Sequence, residues 1–320
     1  MGEQSIVRPR LLVILGPTAS GKSTLGINLA QRYHGEIVSA DSRQVYRGLD
    51  IGTAKVTPEE RVLVPHHLLD VVEPDEIYTV SQFQQEAIQA IDAILGRVHL
   101  PLLVGGSPHY IQAVIENLAI PQVPPQPELR AQLEARSLED LLAELERLDP
   151  QSASHIDRNN PRRIIRALEV CLITGQPFST QKGVREPRYI PLLLGIQWSR
   201  EELYRRIDGR IEERIRQGLV QEVQGLLEQG LTRERLESFG LEYRFVSRWL
   251  YGEIASKDEM VQKLKYASHD FTRRQLSWFR KMTSIIWLNG GPELETEAEE
   301  QVNRFLQTTP EEVNHQSFEQ

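Results

Sequence analysis

Cysteine is nearly absent from this chain, with Cys171 alone among 320 residues. That excludes a disulfide framework and a cysteine-based zinc site, and it suits a reducing cytosol. Long apolar runs are also missing. No stretch approaches the roughly 20 residues that span a bilayer, and the opening MGEQSIVRPR lacks a signal-peptide core. A cytoplasmic protein with no membrane partner is therefore expected. A basic excess is lacking too: 37 Lys and Arg stand against 45 Asp and Glu, a net charge of −8. Taken alone, that balance disfavours a nucleic-acid partner. Yet residues 291–320 hold eight Glu against one Arg, or −7, which leaves −1 for the rest and room for basic patches there.

What is present is a chain long enough for two lobes, or for one core carrying a large insertion. Short β-rich runs recur at Leu11–Leu15, Ile37–Ser39, Leu102–Val104, Leu192–Ile196 and Ile285–Leu288, with helix-period segments between them. That alternation predicts an α/β fold, a parallel sheet flanked by helices. It is interrupted once. After Val104 a proline-rich entry, PQVPPQPELR, leads into helical patterns at Leu129–Arg147 and Pro161–Thr174. Residues 117–190 thus read as a helical insertion domain, 1–116 and 191–290 as the core with C-terminal helices, and 291–320 as an acidic tail, loosely held or flexible. A helix over Glu201–Glu228 carries Leu203, Ile207, Ile211, Ile215 and Leu219 at i, i+4 spacing, a stripe best read as core packing.

The strongest chemical signal is GPTASGKS, Gly16 to Ser23, between the strand LLVIL and the helical pattern STLGINLAQRY. G-x-x-x-x-G-K-[ST] in that context is a P-loop: its backbone N–H groups and a helix N-terminus cradle phosphate, Lys22 adds a cation, and Ser23 suits Mg²⁺. The motif leaves open whether the ligand is a nucleoside triphosphate or a diphosphate ester. The next strand ends at Asp41, and ligands of such sheets sit at the carboxyl ends of the strands. Asp41 is a water-bridged Mg²⁺ ligand, a general base or a helix cap. No acidic pair ends the later strands, which disfavours a motor-type ATPase. Arginines outnumber lysines 30 to 7 and gather as Arg158, Arg162, Arg163 and Arg166, then Arg205, Arg206 and Arg210, then Arg273, Arg274 and Arg280 beside Trp278 and Phe279. The planar guanidinium suits phosphates and stacked bases, so RNA contact is favoured over solvated ion pairs. His66 and His67 point to opposite faces of a strand and read as structural rather than metal-binding.

Taken together, GPTASGKS, SADSRQVYRGLDIGTAK, VPHHLLDVVEPDEIYTVSQF, PLLVGGSPHY, NNPRRIIRALEV, LYRRIDGRIEERIRQGLVQEV and RRQLSWFR resemble the tRNA dimethylallyltransferases, over nearly the whole chain to Leu288. The resemblance implies a P-loop NTPase-like core that transfers the dimethylallyl group of dimethylallyl diphosphate to N6 of the adenosine at position 37 of tRNA, with Mg²⁺. It makes Asp41 the base, with Arg210 and Lys22 on the leaving diphosphate. Gly16, Pro17, Thr18, Ala19, Ser20, Gly21, Lys22 and Ser23 become a diphosphate site, and Ser23 the metal-facing hydroxyl. The anticodon stem-loop is then expected to meet Asp41, Ser42, Arg43, Gln44 and Ser107 on the core and Asn160, Pro161, Arg162 and Arg163 on the insertion. Tyr243, Arg244, Arg273, Arg274 and Gln275 are expected contacts near the C-terminus. A monomer is expected. Glu242, where the family commonly has Gly, and His269, where Arg is frequent, depart from the pattern at tRNA contacts rather than at the chemistry. Three other readings weigh against this one: a P-loop small-molecule kinase, a prenyltransferase acting on free adenine nucleotides, and a nucleic-acid-binding protein with a vestigial nucleotide site. The kinase explains the P-loop and Asp41 but not the insertion and arginine clusters, and the nucleotide prenyltransferase stays the closer alternative. The third leaves an intact set of Lys22, Ser23, Asp41 and Arg210 without purpose.

Overall fold

A computed structural model of the chain describes residues 8–308. Its strands are β1 (Arg10–Leu15), β2 (Gly35–Ser39), β3 (His66–His67), β4 (Leu100–Gly105), β5 (Leu118–Ala119), β6 (Gly183–Val184), β7 (Ile190–Gln197) and β8 (Ile285–Asn289). All but β5 and β6 join one parallel sheet in the order β3-β2-β4-β1-β7-β8. Leu11 to Leu15 are wholly buried, as a strand covered on both faces requires. The strand order reverses between β1 and β4, so the loops after these two strands flank the crevice where such sheets hold ligands. All five expected strands are present. β3 is the strand on which His66 and His67 were expected to point to opposite faces. Its His67 Nε2 meets Glu36 Oε2 at 2.7 Å, and His66 Nδ1 meets the Val64 carbonyl at 2.8 Å, so both rings are structural.

The helices are α1 (Lys22–Arg32), α2 (Pro58–Leu63), α3 (Val80–Gly96), α4 (Pro108–Ile115), α5 (Pro127–Glu134), α6 (Leu138–Leu148), α7 (Pro150–His155), α8 (Pro161–Thr174), α9 (Phe178–Gln181), α10 (Arg200–Gln217), α11 (Leu219–Glu228), α12 (Arg233–Ser238), α13 (Leu241–Leu250), α14 (Lys257–Phe279) and α15 (Leu294–Gln307). Among the described residues no helix is long and apolar enough to cross a membrane. The chain folds as two compact units, one of Thr79–Gln82 with Gln112–Pro187 and the other of the remainder.

The smaller unit has its own core, in which Ile164, Ile165 and Leu168 of α8 pack with Leu133, Leu141 and Leu145. α8 occupies the span its sequence predicts. Pro161 fits its first turn, Asn160 accepts the Arg163 N–H at 3.3 Å, and Gly175 ends it at φ 66°. The expected helix over Leu129–Arg147 is instead two, because Ser137 caps α6 by accepting the Asp140 N–H. Glu169 is buried beneath them and accepts from Arg130 Nε and Nη2 (2.8 and 2.7 Å), Arg166 Nη1 (2.6 Å) and the Gln126 N–H (2.8 Å). These donors hold its carboxyl below the usual range against the opposing cost of burial.

In the larger unit the expected helix over Glu201–Glu228 breaks at Gly218, whose φ of 106° ends α10 and opens α11. Leu203, Ile207 and Ile211 pack with Ala19 of the P-loop and Leu264 of α14, so the stripe is core that fastens the phosphate loop to two helices. The loosely held tail needs correction. Ala298 and Val302 of α15 join the core beside Leu194 and Leu288, and Tyr33 donates to Asn303 Oδ1 at 2.9 Å. Apolar residues at helical spacing among the glutamates supply this face; residues 309–320 of the expected tail lie outside the described residues.

Candidate active site

The loop after β1 turns with Ala19 at φ 61° and Gly21 at φ 97°, and Gly21 begins α1. Its carbonyls are tied outward: Arg206 Nε donates to Ala19 O and Trp198 Nε1 to Ser20 O, each at 2.9 Å. The first N–H groups of α1 have no partner within the helix and, with its dipole, favour an anion. Gln275, 7% exposed, locks the loop from behind. Its Oε1 accepts the Thr18 N–H at 3.2 Å and its Nε2 donates to Gly106 O, in the loop after β4, at 2.7 Å.

Asp41 follows β2. Its Oδ1 accepts the N–H groups of Arg43 (2.8 Å) and Gln44 (3.4 Å). The capping role is therefore real but occupies one oxygen, and Oδ2 makes no hydrogen bond among the described residues. Ser107 Oγ accepts the Ser42 N–H at 3.1 Å. Gln44 in turn donates to the Thr53 and Ala54 carbonyls and accepts from Ser39 Oγ, bracing the 50–55 loop.

Thr18, Lys22, Ser23, Asp41, Ser107 and Arg210 all line one cavity of about 370 Å³. A second, open cleft of about 1220 Å³ shares Lys22, Ser23 and Arg210 with it. Most basic residues of the cleft are already paired: Lys55 with Asp50 and Asp70, Arg61 with Asp70, Arg205 with Glu202. Lys22 and Arg210 form no ion pair among the described residues. Burial, then the nearby Arg210 charge, pushes Lys22 down to about 8, despite the opposing pull of Asp41. Burial, then Arg214, pushes Arg210 down to about 9, although a guanidinium stays charged at neutral pH. Crowded cations that no carboxylate directly pairs favour a polyanion at the junction of the two cavities.

That depression has a measurable consequence. An anion favours protonated Lys22, so binding lifts its pKa back toward 10.5 and takes up a proton above pH 8. Affinity for a diphosphate monoester, measured by calorimetry without RNA, is expected to be flat from pH 7 to 8 and to fall about tenfold per unit from there toward 10. In Lys22→Arg the fall between pH 8 and 9 should vanish.

The expected RNA-facing residues divide. Arg43, Arg244 and Arg274 line the 370 Å³ cavity, and Phe271 joins them there, 41% exposed with the Arg274 guanidinium 5.9 Å from its ring centre. Arg162 and Arg163 are exposed on the first turn of α8, in the smaller unit. Arg273 is exposed and pairs with Asp270. Two expectations need correction. Tyr243 is 1% exposed and donates to Glu222 Oε1 at 2.7 Å, so it presents no surface to RNA. Gln275 is committed to the P-loop and Gly106. His269, too, is largely buried; its Nε2 meets Asp208 Oδ1 at 2.8 Å and its ring stacks on Tyr204 with centroids 3.9 Å apart. Among the described residues no group of three or more His, Cys, Asp or Glu is placed to hold a metal.

Sequence reasoning missed Glu222. Its carboxylate accepts the N–H groups of Asp50 (2.9 Å), Ile51 (2.6 Å) and Gly52 (3.0 Å) as well as the Tyr243 hydroxyl, fixing the 50–55 loop to α11 and α13. Gly52 must be glycine there, because a Cβ would stand 2.5 Å from the Tyr243 ring. Nothing local marks this role, since one glutamate on an amphipathic helix looks like a solvated residue.

Against known proteins, residues 44–282 match the family model described as IPP transferase and residues 9–67 one described as Isopentenyl transferase. A tRNA dimethylallyltransferase of Roseiflexus sp. (strain RS-1) is 47% identical over 282 residues, 87% of this chain and 92% of that protein. One from Thermomicrobium roseum is 45% identical over 284 residues, 88% and 86% of the two chains. The solved tRNA isopentenylpyrophosphate transferase of Bacillus halodurans superposes with a TM-score of 0.71 at 34% identity, covering 97% of this chain and 99% of its own. A eukaryotic dimethylallyltransferase acting on tRNA gives 0.80 at 26% identity over 93% and 79%.

Proposed function

Because the chain belongs to the IPP transferase family, enzymes that transfer a prenyl group to tRNA, we propose that it moves the dimethylallyl group of dimethylallyl diphosphate to N6 of adenosine 37 in the tRNA anticodon stem-loop. The observation that carries this reading is the junction of two cavities. One contains Asp41, the other opens from the phosphate loop, and they share Lys22, Ser23 and Arg210. A base flipped out of its stack fits the first and a diphosphate the second.

The chemistry follows from the groups present. The N6 lone pair is delocalised into the adenine ring, so a base must take a proton as nitrogen attacks. As the N6–C1 bond forms and the C1–O bond breaks, that proton passes to Asp41 through its uncommitted Oδ2, and the electron pair leaves on the diphosphate. Lys22, Arg210 and the first N–H groups of α1 stabilise that growing charge. The residues fit Mg²⁺ in one specific sense. Ser23 gives an exposed hydroxyl at the junction, a hard oxygen donor too little for a protein cage but suited to an ion carried in on phosphate oxygens. When bound, the ion supplies charge neutralisation of the diphosphate.

The test is to incubate the protein with Mg²⁺, labelled dimethylallyl diphosphate and either unmodified tRNA or AMP. Label in tRNA alone supports the reading; label in AMP, or hydrolysis of ATP in place of prenyl transfer, overturns it. RNA engagement has its own signature. Neutralising Arg162, Arg163 and Arg274 together should weaken tRNA binding and flatten its dependence on salt, by roughly 0.7 to 0.9 in log–log slope for each phosphate no longer engaged, with diphosphate binding intact. Superimposable salt lines for wild type and triple variant would remove these arginines from the RNA surface.

A further inference from the structure

No step above uses Arg214 or Glu242, yet both stand in the wall of the cavity that holds Asp41. Arg214 lies one helical turn beyond Arg210 on α10, and its side chain is 7% exposed. Its Nη1 bonds the carboxylate of Glu242 in the first turn of α13, while its Nε is buried with no hydrogen-bond partner among the described residues. A buried ion pair is seldom worth more to stability than apolar side chains of the same size. This one also sits where charge matters to the reaction. Arg214 is the leading charge acting against protonated Arg210 and acts against Lys22 as well, and Glu242 opposes it at Arg210. Without Glu242, three cations would surround the leaving group instead of two and a neutralised third.

We propose that the Arg214–Glu242 pair sets the strength of the diphosphate site: Glu242 keeps Arg214 from acting as a third diphosphate cation, so that the site stabilises the leaving group yet releases it. Both are positioning residues, and the inference rests on reading the P-loop as a diphosphate site. Cations aimed at a leaving group hold the product with the same force, so each added charge trades faster departure for slower release.

Titrating the whole protein with inorganic diphosphate and Mg²⁺ tests this by calorimetry. Glu242→Gln should tighten diphosphate binding about tenfold, and should lower both KM for dimethylallyl diphosphate and kcat as product release slows. Arg214→Gln should weaken binding about tenfold, because an unpaired carboxylate then stands in the cavity wall. The double variant restores the balance and should return to within about twofold of wild type. Should Arg214→Gln fail to fold, Glu242→Asp serves instead. It keeps the charge and should bind like wild type, with thermal melting confirming that both Glu242 variants are folded. Unchanged or weaker diphosphate binding by folded Glu242→Gln overturns the proposal, as does a double variant whose defects are the sum of the single ones. Wild-type protein that does not bind diphosphate at all would overturn the diphosphate reading itself, a result distinct from either.

Discussion

Asp41→Asn is expected to lower kcat by about 10²- to 10⁴-fold while leaving tRNA affinity nearly unchanged. An amide keeps the shape of the carboxylate, and its oxygen still accepts the N–H groups of Arg43 and Gln44 that fix the side chain. The second position, however, becomes NH₂, a donor facing an amine that must lose a proton. Single-turnover prenyl transfer, with tRNA binding followed in parallel, separates the two effects. Turnover like that of wild type would take Asp41 out of the mechanism. A matching loss of tRNA affinity would mean that the turn after β2 had collapsed.

Arg210→Ala and Lys22→Ala should each cost about 2 to 4 kcal/mol of transition-state stabilisation, in the range of other preorganised donors aimed at developing charge. They should differ in where the loss appears. Lys22 is half-buried beside the loop and can hold diphosphate before reaction, so its removal should raise KM as well as lower kcat. Arg210, supplied by α10, should act mainly on kcat. The two should also fail to add, because the Arg210 charge holds the Lys22 pKa down and removing one cation relieves the other. A single-turnover rate series over both single variants and the double variant reads this directly. Strict additivity would place the two cations in separate sites.

How much of the fold and site is legible in the sequence depends on distance along the chain. The P-loop is local: residues of fixed spacing between a strand and a helix dictate its geometry, and the structure adds only which side chains hold the carbonyls. α8 is local too, with Asn160, Pro161 and Gly175 marking its ends. Wherever one partner lies far away in sequence, pattern reading fails. Glu222 reads as a surface residue until Asp50, Ile51 and Gly52 arrive from at least 170 positions away. Tyr243 and Gln275 stand in motifs expected to touch RNA, and both instead brace the loops that form the site. α15 is hidden by its own glutamates, whose charge suggests a solvated tail although Ala298, Val302 and Phe305 share one face.

The amide of Gln275 has a thermodynamic consequence. One end grips the phosphate loop at Thr18 and the other the loop at Gly106, while its helix carries Arg274 and Phe271 at the cavity that Lys22 also lines. An arriving phosphate that draws the Thr18 N–H toward itself must loosen one end of that amide and shift the balance on α14. Whatever free energy passes along this path has the same size in both directions. The prenyl donor must therefore alter affinity for RNA by the same factor by which RNA alters affinity for the donor, and Gln275→Ala would bring both factors toward one.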